Sequence, residues 1–503
     1  MTRAGRLPIA FLSLSLTYLA VNVNVSVTSI ALPSIGTDLG ASTAQLSWIY
    51  KITPLVSIGV MLFAGAWIDR FGRRRVLVIG LTIFLVSAIL SALTRDVTLL
   101  ITMRAITGVG ASLAMPAALA LTFDVVPDTS RRTAVGLLGA TQAGGSLIGP
   151  VLAGGAMAMW SWPAAFLTVV PFIAIALIGA RRLPKNLPGA DTPMDSRGAG
   201  LTLIASVAAV YSATALSERK LVTALISLVI AIVAVVTLIN WERRAQHPLF
   251  DSVVLGQHRF RVAILVVFGA QLVLGGVLFV LTQYLQLALG YSPLIAGLLL
   301  IPALAGWVLA SAVAGRTAAV LGARRAVTFG LALSSVGLAV LAFAASHRTA
   351  PSTGLLILGL VLTGLMAIGP ALMTHTVVDC YPIERRAVGS ATNGAAARFG
   401  FSMGIALLGA VLSLVYGWGL RASTQPLTAA QAETVKGGLA GALRVATTLP
   451  DGMMLTEVAR SAFITGYQAT TVLSSMIMAA LTIVVAFSSQ GADNARQGTP
   501  EPN

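Results

Sequence analysis

The densest charge in this sequence lies in a short segment between two long apolar runs. The segment reads Gly65-Ala-Trp-Ile-Asp69-Arg70-Phe-Gly72-Arg73-Arg74-Arg75, which places four arginines and one aspartate within eleven residues. Charge at this density must lie in water, and arginine in a short loop marks the cytoplasmic side of a membrane. Asp69 can pair with these arginines and with a helix terminus, so the segment can hold two helices together in one state and release them in another. Topology anchoring is the simpler alternative, but it leaves the placement of Gly and Asp unexplained. The residues that we assign to gating are Gly65, Asp69, Arg70, Gly72, Arg73 and Arg74.

A second candidate is an arginine inside an apolar run. Arg104 lies roughly one and a half turns inside the predicted fourth span. A charge within a membrane costs at least ~2.5–3.5 kcal/mol and is a functional hypothesis by default. The alternative is that Arg104 snorkels to the nearby membrane face. Asp124 and Asp379 lie at predicted cytoplasmic helix ends, where pairing with arginine is the simpler role. Together with Arg104 they are the candidates for coupling.

Uncharged polar residues within apolar runs are candidates for binding an organic molecule, because amides beside aromatic and apolar neighbours suit amphipathic compounds. None of the 17 acidic residues falls in the middle of a predicted span. Lys51 lies just inside the predicted second span, where snorkelling is the simpler interpretation. Arg398 can pair with Asp379 or Glu384. The predicted cavity residues are Asn22, Asn24, Gln142, Gln271, Gln283 and Asn393.

The composition requires a membrane to position these residues. Of the 503 residues, 56% are hydrophobic and 10% are charged, with a mean hydropathy of +0.89. A soluble domain carries about 25% charged residues, so the chain is expected to be an integral membrane protein. The net charge of +16 comes from small basic clusters between apolar runs, which favours contacts with lipid headgroups over a nucleic-acid partner. The single cysteine, Cys380, excludes a disulfide framework, and we expect neither a metal nor a cofactor.

Apolar runs of about 20 residues predict fourteen membrane-spanning helices, and their length excludes barrel strands. Lysine and arginine concentrate in alternate connecting segments, which predicts that both termini are cytoplasmic. The predicted units are a six-helix bundle over 1–185, two inserted helices over 186–258, a second six-helix bundle over 259–490 and a cytoplasmic tail over 491–503. A long external loop is predicted at about 417–461. The predicted spans are 8–32, 47–68, 76–94, 98–123, 133–158, 163–180, 199–216, 221–240, 262–285, 293–315, 326–346, 353–377, 387–416 and 462–488.

An internal repeat supports this 6 + 2 + 6 arrangement. Asp124-Val-Val-Pro127 with Arg131-Arg132 after the fourth span is repeated as Asp379-Cys-Tyr-Pro382 with Arg385-Arg386 after the twelfth. The charged segment also has a partial copy, in which Gly315 and Gly322 keep the glycine spacing. In that copy alanine, at position 319, replaces Asp69. Two repeats at matching offsets predict parallel halves with a site between them, which is a transporter architecture.

These features resemble the major facilitator superfamily, and the count of fourteen spans is similar to that of its EmrB/QacA-type drug:proton antiporters. The charged segment from Gly65 to Arg75 is similar to the superfamily's signature between helices 2 and 3. Arg104-x-x-x-Gly108-x-Gly110-Ala111 is similar to its buried-arginine motif. The resemblance implies the major facilitator fold, drug:proton antiport, and a role for Arg104 in proton coupling or gating.

The fifth predicted span carries a pattern that looks like the signature typical of exporters. It reads Gly144-Gly145-Ser-Leu-Ile-Gly149-Pro150-x-x-x-Gly154-Gly155. Small residues let helices approach closely and proline bends a helix, which suits a rocking gate. Ordinary close packing is the alternative. The residues of this exporter motif are Gly145, Gly149, Pro150 and Gly154.

Two positions depart from the subfamily pattern. The subfamily usually has an aspartate in its first helix, where this chain has Asn24. Asparagine can bind substrate but cannot carry a proton. Pro163 follows Trp162 at a place where arginine is common. The residue that carries the coupling proton is therefore left open.

The resemblance implies proton-motive-force-driven efflux of antibiotics or other amphipathic organic compounds by alternating access, and thus drug resistance or self-resistance. The alternative is a major facilitator uptake or symport carrier for a small metabolite, against which the exporter motif and the span count argue. The sequence contains no Walker motif or strong catalytic signature, so we do not expect an enzyme. The expected location is the bacterial cytoplasmic (inner) membrane. The expected partners are a small-molecule drug or antibiotic, protons and the lipid bilayer, without nucleic acid, for a monomeric protein.

Overall fold

A computed structural model of the chain describes residues 3–127, 131–184, 196–217, 220–244, 252–345, 353–381, 386–420, 427–450 and 452–488. Every regular element within these ranges is helical, as the apolar runs predict.

Seven helices form the first half of the chain. They are α1 (Arg3–Leu39), α2 (Thr43–Phe71), α3 (Arg73–Leu93), α4 (Val97–Val125), α5 (Arg131–Met159), α6 (Pro163–Leu167) and α7 (Val170–Ala180). Two inserted helices and one short helical turn follow. They are α8 (Ser196–Ser217), α9 (Leu221–Glu242) and α10 (Ser252–Gly256).

Nine helices form the second half. They are α11 (His258–Gln283), α12 (Pro293–Leu321), α13 (Ala323–Ala344), α14 (Thr353–Gly364), α15 (Ile368–Asp379), α16 (Arg386–Gly419), α17 (Ala429–Lys436), α18 (Leu439–Ala446) and α19 (Gly452–Phe487). A π-helical segment, Tyr284–Ala288, extends α11, and a short 3₁₀ turn joins α14 to α15.

Twelve helices of the described ranges are long and apolar enough to cross a membrane, judged by length and composition. α6 and α7 together form one of them, and α14 and α15 together form another. α2 and α5 are not among the twelve, and each is 29 residues long. The chain is therefore a multi-pass membrane protein, as its composition predicts.

Local sequence signals set where the functional helices begin and end. Ser42 caps α2 and exchanges hydrogen bonds with Gln45 in a capping box. Gly72 ends α2 and starts α3 with φ 90° and ψ 137°, a conformation that only glycine adopts without strain. Gly322 joins α12 to α13 with φ 81° and ψ 146°. The sequence repeat is thus also a repeat of backbone geometry.

Each half packs as its own bundle around a shared interior. In the first half α1 packs on α5 and α3 packs on α4; in the second, α11 packs on α16 and α13 packs on α19. The turns at Gly72 and Gly322 lie at one end of the bundle, which we call the Gly72 end. The opposite end, which we call the hairpin end, carries α17 and α18. The surface along which the two halves meet is called the seam below.

The inserted helices lie at the side of the seam. α8 packs on α9, and it also packs on α2 from the first half and on α16 from the second. Most large side chains of α9 are exposed and apolar, which is the composition expected of a helix that faces lipid. The insert therefore contacts both halves mainly through α8.

The predicted external loop contains a helical hairpin, formed by α17 and α18, which belongs to the second half in sequence. The backbone N–H of Thr43, at the start of α2, donates to the carbonyl oxygen of Gly437 at 2.7 Å. Gly40 has φ 66°, and a Cβ there would overlap the guanidinium of Arg444 from α18. The hairpin thus rests on the α1–α2 corner of the first half.

Candidate functional site

A buried polar cluster joins α1, α2 and α4 inside the first half. Arg104 is 1% exposed, and its Nη1 donates to Oδ1 of Asn24 at 2.9 Å. The Phe166 ring lies 5.4 Å from the guanidinium, and Thr53 donates to the carbonyl oxygen of Arg104 at 2.8 Å. Snorkelling of Arg104 is therefore wrong, because its side chain is directed into protein.

This cluster holds a charge without a carboxylate. No acidic side chain of the described residues pairs with Arg104, whose Nε has no hydrogen-bond partner there. Nδ2 of Asn24 likewise has none. Asn24 is 2% exposed, so it supports Arg104 and does not line an open cavity. Its amide is uncharged, so no carboxylate of the described residues offsets the arginine charge.

Lys51 is a second buried cation, and its predicted snorkelling is wrong. It is 0% exposed. Its Nζ donates to Ser47 at 3.1 Å and to Thr214 of the inserted α8, and it lies 4.1 Å from the centre of the Trp48 ring. Tyr211 of α8 packs against the same tryptophan. Lys51 thus ties the insert to α2.

The charged segment at the Gly72 end is partly described. The side chains of Gly65 and Asp69 lie outside the described residues. Arg70 lies over the neighbouring Phe71 ring, with 5.7 Å between the guanidinium carbon and the ring centre. The segment's remaining gating residues, Gly72, Arg73 and Arg74, form the turn and its contacts.

Two arginines after Gly72 fasten the turn to other helices of the same half. Arg73 pairs with Asp124 at the end of α4, and both side chains are partly exposed. Asp124 therefore lies in an ion pair with arginine, the simpler of the two roles considered. Arg74 donates to the carbonyl oxygen of Arg181, directly after α7, at 3.1 Å. Asp379 occupies the matching end of α15 and is exposed.

The exporter motif of α5 faces two partners. A Cβ on Gly145 would come within 2.7 Å of the Leu19 carbonyl oxygen, and one on Gly149 within 2.7 Å of Ser26. Both glycines therefore pack against α1. Further along α5 the contact changes to the second half.

At the hairpin end the motif crosses the seam. A Cβ on Gly154 would come within 2.5 Å of the Leu294 Cα in α12, and one on Gly297 within 2.5 Å of the Pro150 carbonyl oxygen. These contacts are backbone to backbone. α5 and α12 thus approach closely here, which glycine at these positions permits.

The remaining predicted cavity residues differ in exposure. Gln283 is 1% exposed and donates to the Phe279 carbonyl oxygen, so it belongs to packed protein. Asn22 is half-buried and donates to the Tyr18 carbonyl oxygen at 2.9 Å. Asn393 is half-buried and pairs with Thr374 of α15. The other two, Gln142 and Gln271, are exposed and half-buried respectively.

The structure adds Arg398 to the residues of the seam, whereas the sequence interpretation paired this arginine with an acidic residue. Arg398 of α16 is half-buried at the seam, and its Nε lies 3.4 Å from Sδ of Met61 in α2. Glu384 lies outside the described residues. The available signal was the spacing of Gly394, Arg398 and Ser402, which puts small or polar residues on one face of α16.

Two helical bundles that share a repeated glycine turn, an inserted helix pair and polar side chains along the seam are features of a multi-pass membrane transporter. The sequence matches the Major Facilitator Superfamily over residues 14–257 and 263–420. The chain belongs to this superfamily.

Similar proteins agree with this membership. Methyl viologen resistance protein SmvA of Salmonella typhimurium is 28% identical over 459 residues, covering 89% of this chain and 91% of that protein. Multidrug efflux pump LfrA of Mycolicibacterium smegmatis is 28% identical over 483 residues, covering 95% of each. The solved structure of a bacterial homologue of the human lysosomal transporter Spinster shares the fold, with a TM-score of 0.69 at 16% identity over 96% of this chain and 97% of that one.

Proposed function

We propose that this chain exports antibiotics or other amphipathic organic compounds from the bacterial cytoplasm in exchange for protons, by alternating access, and so confers drug resistance or self-resistance. The two relatives carry the names of a resistance protein and a multidrug efflux pump, which supports efflux as the general activity. Assignment to the EmrB/QacA-type antiporters rests on the motifs of α2, α4 and α5.

One observation carries the proposal: the halves touch backbone to backbone at the hairpin end, beside polar side chains along the seam. Gly154 and Gly297 bring α5 and α12 together there. A contact between small residues can act as a pivot, because no large side chain must be displaced when the helices tilt. A pivot beside a polar seam is the arrangement that alternating access requires.

The proposed topology counts α2 and α5 with the twelve apolar helices, which gives fourteen spans. The Gly72 end is cytoplasmic in this topology, since it carries the arginine-rich turns, and both termini lie there. The proposed membrane is the bacterial inner membrane. The working unit is proposed to be a monomer, because one chain supplies both halves of the seam.

The gating and coupling residues keep their proposed roles. Asp69 with Arg70, Arg73 and Arg74 forms the latch at the Gly72 end. Arg104 is the leading coupling residue, because a buried charge beside an amide is sensitive to any nearby gain or loss of charge. Asp124 and Asp379 are proposed to couple through their helix-end ion pairing.

A susceptibility panel followed by vesicle transport tests the proposal. Efflux-deficient bacteria that express the chain should tolerate at least one antibiotic that kills the empty-vector control. Inside-out vesicles from these cells should accumulate that compound, and a protonophore should abolish accumulation. Accumulation that survives the protonophore would contradict proton coupling, while accumulation only by right-side-out vesicles would favour the uptake carrier.

Asp69→Asn tests the latch in the same assay. The amide keeps the shape but removes the charge through which Asp69 is proposed to pair with arginine, so efflux should be lost at a normal expression level. The matched control is Glu433→Gln, the same chemical change at an exposed position of α17. Undiminished efflux by Asp69→Asn would remove the latch from the mechanism.

A further inference from the structure

Arg398 lies deep in α16, away from the acidic residues at the helix ends. It is about 18 Å along the helix axis from Arg386, where α16 begins, at 1.5 Å per residue. Thr374 of α15 pairs with Asn393 of α16. Because these consecutive helices run antiparallel, Asp379 lies beyond that pair towards the Gly72 end, on the side away from Arg398. No carboxylate of the described residues pairs with Arg398.

Arg398 also lies on the face of α16 that meets the first half. Gly394, one turn earlier, would place a Cβ 3.2 Å from Cε of Met61. Ser402, one turn later, donates to the carbonyl oxygen of Lys51 at 3.3 Å. The guanidinium is therefore directed across the seam towards α2.

The seam is closed on the hairpin side of Arg398 and accessible at Arg398 itself. Ser402 is 0% exposed. The buried Tyr50 ring of α2 lies between two rings of the second half, 5.5 Å from Phe401 and 6.5 Å from Phe279. Arg398 is half-buried, so its side chain keeps accessible surface at the seam.

The charges along this part of the seam share one sign. Lys51 and Arg104 are cations at 0% and 1% exposure, and both donate to uncharged oxygens. Arg398 is the cation with accessible surface, and its Nε is directed at a thioether, which is a weak acceptor. Among the described residues no carboxylate pairs with Arg104 or Arg398, so these two charges favour an anionic ligand over a cationic one.

We propose that Arg398 binds the anionic group of the exported compound, so that the substrate class is an amphipathic organic anion. This inference rests on the proposed function and narrows it. A guanidinium binds a carboxylate through two parallel N–H donors, which fixes the orientation of the ligand as well as its charge. The thioether of Met61, beside the guanidinium, supplies a soft, apolar surface for the ligand body.

Three probes with one aromatic body test the charge preference: 1-naphthaleneacetate, its methyl ester and 1-(1-naphthyl)ethylamine. Binding to the purified full-length protein and transport into inside-out proteoliposomes are measured separately. The variants are Arg398→Gln, Arg398→Lys and the control Arg316→Gln, an exposed arginine of α12. Wild type should bind and move the anion in preference to the amine. Arg398→Gln should weaken anion binding roughly tenfold or more, as expected for a lost charge-assisted pair.

Arg398→Lys should keep part of the anion preference, and Arg316→Gln should keep all of it. Ester binding should change little in every variant, which also reports correct folding. Preference of wild type for the amine, or equal anion affinity in wild type and Arg398→Gln, would overturn the inference and leave efflux in place. Tight, Arg398-dependent anion binding without transport would support the site and contradict the proposed export. Absence of binding for all three probes would overturn the anion site.

Discussion

The turns at Gly72 and Gly322 have the same backbone but different charge. In both halves the arginine two positions after the glycine donates to a carbonyl oxygen at the end of that half's last helix. Arg74 bonds Arg181 after α7, and Arg324 bonds Val485 of α19, each at 3.1 Å. These bonds satisfy helix ends that would otherwise lack partners.

The ion pair, by contrast, can form in only one half. Arg73 pairs with Asp124. The equivalent of Arg73 is alanine at 323, and the equivalent of Asp69 is alanine at 319. Asp379 therefore cannot form a copy of the pair. Both halves keep the bond that fastens a bundle together. Only the first half keeps an aspartate at the position of Asp69 and an arginine at the position of Arg73, which suits a task that the two halves do not share.

The largest effect is expected from substitutions that disturb the backbone conformation that the two turns share. Gly72→Ala and Gly322→Ala place a Cβ on a backbone with positive φ, which costs on the order of 1–3 kcal/mol. Both variants should lower the temperature at which purified protein loses monodispersity, by similar amounts. Gly139→Ala, a helical glycine of α5 with open space around it, is the matched control and should be neutral or mildly stabilising. Equal stability of Gly322→Ala and this control would show that the second turn is not constrained.

A smaller effect is expected from the shared arginine bonds. Arg74→Ala and Arg324→Ala each remove a charge-assisted hydrogen bond to a helix end, worth about 1.5–3 kcal/mol before solvent exposure reduces it. Both should lower thermal stability, and Arg75→Ala, an exposed neighbour, should not. If only one of the two variants lost thermal stability, the arginine bonds of the two turns would contribute differently to stability despite their common geometry.

The smallest effect concerns the pair that is present in one turn only. Arg73→Ala should cost about 0.2–1 kcal/mol, because the pair is partly exposed. Asp124→Asn should cost a comparable amount, because it removes the charge of the other partner in the same pair. Both effects should shrink as salt is raised, since exposed charges are screened. Thermal stability at low and high salt measures them, and salt-independent changes would indicate packing in place of ion pairing.

Sequence patterns predicted the helices and the duplication because both depend on local information. Apolar runs of span length and the Gly72/Gly322 repeat are visible without knowing which helices touch. The pairing of Asp124 with an arginine was also accessible, since both lie at helix ends on the same side of the membrane. The charged turn, Arg104 and the glycines of α5 stand out in the sequence for the same reason, and their functional roles stay predictions.

The sequence interpretation was wrong for residues whose surroundings depend on packing between segments that are distant in the chain. Lys51 appeared able to snorkel because nothing in its own helix indicates Thr214, which the inserted α8 supplies. Asn24 appeared to line a cavity because a helix pattern does not say which face meets Arg104. The position of Arg398 depends on the packing of α16 against α2. The local periodicity of a sequence does not show which helices of the two halves are in contact.

The hairpin has a consequence for how fast the seam can close. It is tethered to the second half at both ends, yet Gly437 accepts a hydrogen bond from Thr43 of the first half. Any separation of the halves at this end must break that bond, but the tether keeps its two partners at a high effective concentration. The Thr43–Gly437 hydrogen bond therefore re-forms within one molecule and over a short distance. A single hydrogen bond of this kind can rejoin the halves without holding them permanently together.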